Sequence, residues 1–226
     1  LSTPVSTIAQ AASSPATAGG ATPDRPAYNH AADVTSDGRY ALITSSTGTD
    51  ARYEVRVVDL ARRAKQGWKP RPLVTGFEHD WKLVDSTGST LWFVTNWQAP
   101  RFRLVAMNLA SRKPEWRELV RQSDETLLQA TIIGDKLVLS YLKDAASRAL
   151  ILDLSGKGAK TLALSGLGTA SGFRGRPGDP ETFYSYTSFN QPAAIYRLDL
   201  ASGKTRPFAR PPLTFEPKNF AIDQRF

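Results

Sequence analysis

Apolar and polar residues alternate along most of this chain in short runs. The clearest case lies at 180–205. There Phe183-Tyr184-Ser185-Tyr186-Thr187 and Ala194-Ile195-Tyr196-Arg197-Leu198 flank a polar connection holding Asn190 and Pro192. Aromatic and β-branched side chains suit a pleated, half-buried surface, and Asn and Pro punctuate between strands. This pattern predicts strands at 183–187 and 194–198. The second is followed by Ser202-Gly203, a turn signal.

The same grammar recurs upstream. It predicts strands at 32–34, 40–44, 53–58 and 72–75, then at 81–84, 91–95, 102–107 and 116–120. A third set falls at 128–133, 136–142, 149–152 and 161–164, and a fourth at 169–173, 183–187, 194–198 and 205–208. Turns are expected at Ser36-Asp37-Gly38-Arg39, Ser86-Thr87-Gly88-Ser89, Gly134-Asp135 and Pro177-Gly178-Asp179-Pro180, and a loop through Asp144 and Ser147. A further strand is expected at 220–222. The third strand of each set closes on Asp or Asn before Leu: Asp59, Asn108, Asp153 and Asp199, spaced by 49, 45 and 46 residues. Four short strands per period of about 45 residues is the signature of a propeller blade. The expected fold is therefore all-β: four β-propeller blades of four antiparallel strands, at about 25–76, 77–122, 123–165 and 166–210. A β-sandwich would not explain so regular a repeat. The repeated Asp or Asn is read as turn chemistry, because these side chains bond nearby backbone. Residues 1–24, rich in Ala, Ser and Thr, are read as a disordered leader with at most a short helix at 8–12.

Composition narrows the chemistry. Cysteine is absent, which removes disulfides and thiolate chemistry and leaves both cytoplasm and periplasm open. The net charge of +8 could serve nucleic acid or an anionic membrane. The basic residues are scattered, densest at Arg62-Arg63-Ala64-Lys65 and around Arg210, Lys218 and Arg225, and read as a solvated surface. Neither nucleic acid nor membrane is an expected partner. Catalytic equipment is sparse. The two histidines, His30 and His79, form no ligand-spaced motif, so no metal or cofactor is expected. The nucleophile elbow Gly-x-Ser-x-Gly is missing; Ser171 comes nearest, with Thr169 where the first Gly must stand. Glu78-His79-Asp80 reads as a polar strand entry. Trp68, Trp81, Trp92, Trp97 and Trp116 read as core and inter-blade packing.

Three stretches carry a resemblance: Ser36-Asp37-Gly38-Arg39-Tyr40, Thr95-Asn96-Trp97-Gln98-Ala99-Pro100-Arg101-Phe102-Arg103-Leu104, and Tyr186-Thr187-Ser188-Phe189 through Pro192 to Leu200. They resemble the prolyl oligopeptidase family of serine peptidases, in its seven-bladed propeller domain, over about residues 24–226. The resemblance implies a propeller that caps an α/β-hydrolase domain, admits only short peptides, and leaves cleavage after proline to a Ser-Asp-His triad on that other domain. On this reading the chain covers four of seven blades, 211–226 lead toward a hydrolase domain in cis, and the chain alone carries no catalytic residue and is inactive. Two subsite-lining positions of the family fall on Asn29 and Thr49, and Arg101 stands where the family often has Asn. The expected function is the non-catalytic, access-restricting propeller portion of such a peptidase. A stand-alone propeller that binds a protein or glycan partner is the alternative.

Overall fold

The computed structural model describes residues 28–214, 219–220 and 222–225. The expected leader at 1–24 lies outside the described residues. Among the described residues, sixteen strands form four four-stranded antiparallel sheets, each from consecutive strands: β1(Tyr28–Val34), β2(Tyr40–Thr47), β3(Glu54–Asp59), β4(Arg71–Val74); β5(Trp81–Thr87), β6(Thr90–Thr95), β7(Arg103–Asn108), β8(Arg117–Val120); β9(Thr126–Ile133), β10(Lys136–Lys143), β11(Ala146–Asp153), β12(Lys160–Thr161); β13(Thr169–Arg174), β14(Glu181–Ser188), β15(Gln191–Asp199), β16(Thr205–Ala209). The all-β fold and the four-strand period are as expected. All four repeated Asp or Asn residues close the third strand of their sheet. Three act as turn acceptors for backbone N–H: Asp59 from Ala61, Asn108 from Ala110 and Asp199 from Ser202. Asp153 instead accepts from Lys136 Nζ at 2.9 Å.

Several local expectations change. Between β10 and β11 a two-residue turn replaces the expected loop, with Asp144 and Ala145 at φ 50° and 58°. Pro192 sits inside β15, and β5 runs through Thr87. Phe220 and Ile222 lie outside any strand, and Ala221 is not among the described residues. The basic loop after β3 folds into a 3-10 turn, Leu60–Arg62, and one helical turn, α1(Arg63–Gln66). Good helix formers start it beside the Asp59 cap, and Gly67 at φ 66° ends it.

The chain forms two compact units, one through Trp81 and one from Lys82. In the first, Tyr40, Leu42, Val55 and Val57 are buried from β2 and β3. In the second, the sheet β9–β12 is covered on both faces. Leu137, Leu139, Tyr141 and Ala130 join Trp92, Val94 and Leu104 in one core. Val138, Ala149 and Ile151 join Phe173, Tyr184, Tyr196 and Leu198 in the other. Alternation with period two is what lets one strand feed both.

Candidate functional site

The two residues expected to line a subsite stand together at one end of the first sheet. Asn29 lies in β1, opposite Ser46 of β2. Its side-chain amide donates to the Gly48 carbonyl at 2.7 Å, in the turn that leads to β3. Thr49 follows in that turn, and both residues are exposed. Asp50 and Arg52 form an ion pair at the same turn. The Arg52 side chain, then its backbone N–H, hold the Asp50 carboxyl down at about 2. This end of the sheet offers amide, hydroxyl and carboxylate groups suited to hydrogen-bonding a polar chain.

One contact here escaped the sequence. His30 Nδ1 lies 2.9 Å from Ser45 Oγ, across the β1–β2 ladder. That is nucleophile–base distance. Ser45 is only 6% exposed, however, and among the described residues no carboxylate hydrogen-bonds the His30 ring. A triad needs both access and an orienting acid, so the pair reads as a cross-strand polar contact. His79 lies 4.0 Å from Glu78. No group of three possible metal ligands occurs among the described residues.

The corresponding end of the fourth sheet carries a pocket of about 370 Å³. Leu167, Thr169, Ser188 and Phe189 line it, together with Ile222 and Gln224 from the last described segment. Phe189, from the Thr-Ser-Phe motif, is 100% exposed in the β14–β15 turn. Asn190 Nδ2 donates to the Phe220 carbonyl at 2.7 Å, which fastens the last segment beside the pocket. Ser171 lies in β13, paired with Ser185, with no histidine contact among the described residues.

Arg101 is built into the fold. Its backbone N–H donates to Gln122 Oε1 at 2.7 Å and its guanidinium to the Asp124 carbonyl at 2.8 Å, which ties the β6–β7 connection to the segment before β9. Next to it, Arg103 stacks 4.7 Å from the Trp97 ring and pairs with Glu118 at 3.0 Å. Trp81 and Trp92 are buried as expected, but Trp68 is 54% exposed, against the expectation of a core role. Its place outside the strands, after α1, explains the difference.

Residues 20–211 match the family described as the prolyl oligopeptidase N-terminal β-propeller domain. The chain belongs to this family. A prolyl endopeptidase of Elizabethkingia miricola is 32% identical over 194 residues, covering 85% of this chain and 27% of the relative. The prolyl endopeptidase of Elizabethkingia meningoseptica is 29% identical with the same coverage. A solved structure from a study of two prolyl endopeptidases and their inter-domain dynamics aligns with a TM-score of 0.79 at 39% identity, covering 87% of this chain and 29% of that one. Prolyl oligopeptidase B from Galerina marginata reaches the same TM-score at 22% identity, a likeness of fold alone. The chain thus spans about a quarter of the length of these peptidases, within the propeller of the family.

Proposed function

We propose that this propeller segment restricts access to the active site of a prolyl-oligopeptidase-like serine peptidase, so that short proline-containing peptides enter and folded proteins do not. The family match over residues 20–211 carries the reading. The site geometry supports it: the end with Asn29 and Thr49 offers polar groups without an activated nucleophile. Chemistry belongs in this reading to a hydrolase domain in cis. Asn29 and Thr49 then serve as contacts for an entering peptide backbone.

The purified chain is expected not to cleave a chromogenic Gly-Pro amide. Acyl transfer needs nucleophile, base and oxyanion donors held together, and loss of the nucleophile–base pair alone removes on the order of a million-fold in rate. Turnover that survives purification and vanishes in Ser45→Ala would defeat this. Gating is tested in a chimera, with this segment replacing the matching part of the Elizabethkingia miricola enzyme. Short peptides should be cleaved and a folded proline-rich protein spared. Equal cleavage of both would remove the gating role while leaving the family assignment intact.

A further inference from the structure

The β3–β4 connection of the first sheet differs electrically from the rest of the surface. From Leu60 to Phe77 the sequence holds Arg62, Arg63, Lys65, Lys69 and Arg71 and no acidic residue, which is +5 of the chain's net +8. Elsewhere several cations face carboxylates: Arg103 with Glu118, Lys136 with Asp153, Lys143 with Asp124, Arg148 with Glu125 and Arg197 with Glu181. In this segment only Arg62 has such a partner, Asp59 at 3.5 Å. Among the described residues Arg63, Lys65, Lys69 and Arg71 form no ion pair, and all four are exposed.

Within this uncompensated charge stands the exposed Trp68, with the Arg63 guanidinium 5.4 Å from its ring centre. Arg63 also lines a shallow cleft of about 610 Å³, together with Asp37, Gly38, Arg39, Leu60 and Ala61. An exposed indole among unpaired cations is the composition of an interfacial anchor. The ring is amphipathic and settles at headgroup depth, while Lys and Arg meet lipid phosphates. A single-stranded nucleic acid would call for successive aromatic rings on which bases stack. This segment has one ring between its cations, already covered on one side by Arg63.

We propose that the segment 60–71 is a peripheral attachment site for an anionic phospholipid surface. Trp68 seats among the headgroups, and Arg62, Arg63, Lys65, Lys69 and Arg71 meet their phosphates. One indole and a few cations make a superficial, reversible attachment. The site lies at the β1–β2 turn end of its sheet, where Leu60 N–H donates to the Arg39 carbonyl. Asn29 and Thr49 lie at the opposite end, so attachment leaves them free.

The test is co-sedimentation of the full chain with vesicles of phosphatidylglycerol and phosphatidylcholine, beside vesicles of phosphatidylcholine alone. Binding is expected only to the anionic vesicles and should fade as salt screens the charges. Each cation near such a surface strengthens binding about fivefold, so the pair Arg62→Gln and Arg63→Gln should weaken it about 25-fold. Trp68→Ala should remove the blue shift of tryptophan emission on vesicle addition. The pair Arg112→Gln and Lys113→Gln takes the same charge from the β7–β8 connection and should leave binding unchanged. Circular dichroism confirms that each variant is folded. Failure to bind anionic vesicles overturns the proposal. So does equal weakening by both pairs, which would assign binding to diffuse net charge. So does capture of a single-stranded DNA oligonucleotide without vesicle binding.

Discussion

Burial decides how Tyr141 responds to pH. Tyr141 is enclosed in the core shared by β6, β7, β9 and β10, and burial, then the nearby Glu125 charge, pushes its phenol from 10.0 up to about 12. The unfolded chain releases this proton near 10.0 and the folded chain only near 12. Between those values the unfolded state binds fewer protons, so stability falls as pH rises; below 10.0 the contribution is constant. Tyr141→Phe should therefore remove about 2 kcal/mol of the stability lost between pH 10 and 12. Urea unfolding of both proteins across that range checks it, and parallel curves would contradict it. Asp50 runs the opposite way: its folded carboxyl lies below the unfolded value, so its stabilising effect is present above 3.8 and lost as pH falls toward 2. In Arg52→Gln its NMR titration midpoint should move up toward 3.8; an unmoved midpoint would show that Arg52 is not the cause. Neither environment was legible in the sequence. Tyr141 could be read as a strand residue, but its position in a particular core depends on how sheets pack. The Ser45–His30 contact depends on strand register, which no single stretch of sequence states.

At the scale of elements, strand centres were legible and strand ends were not. Alternating Val, Leu, Ile and Tyr fixes where a pleated strand can bury one face, and the predicted runs other than 220–222 lie within or beside observed strands. Ends depend on turn geometry. Asp144-Ala145 lacks the Asn-Gly or Asp-Gly signal, yet both residues take positive φ in a tight hairpin turn. β1 begins earlier than expected: 28–31 lack the alternating apolar pattern, yet they pair in register with β2, and the Asn29 and His30 side chains reach Gly48 and Ser45. The β9–β10 turn shows a further constraint. Gly134 has φ 60°, its N–H donates to the Arg176 carbonyl at 2.9 Å, and an added Cβ would lie 2.5 Å from the Asp179 carbonyl oxygen. Gly134→Ala should cost about 2–4 kcal/mol through left-handed strain and separation of two touching backbones. Thermal unfolding beside Gly88→Ala, where φ is 59° and the space is open, isolates the second contribution. Equal losses in the two variants would mean the close approach is relaxed at little cost.

Across the second unit, stability should follow coverage. The sheet β9–β12 lies between two cores, whereas β16 is exposed along its length except at Thr205. Hydrogen exchange should therefore be slowest in β10 and β11 and fast in β16, since local opening is easiest where few apolar contacts resist it. Greater protection in β16 than in β10 would contradict this. The period of the sheets was readable because each closes its third strand on an Asp or Asn, at Asp59, Asn108, Asp153 and Asp199, three of which bond the following turn. The exposure of Trp68 was not, because a tryptophan in a basic loop has the same letter as one in a core. Each sheet takes its four strands from one uninterrupted stretch and lends none to its neighbour. A gain or loss of one whole period by recombination would thus cut no hydrogen-bonded ladder. Lineages carrying this architecture can change in steps of one blade, and what has to adapt is the new seam: its side chains and its few backbone contacts, such as Gly134 N–H to the Arg176 carbonyl.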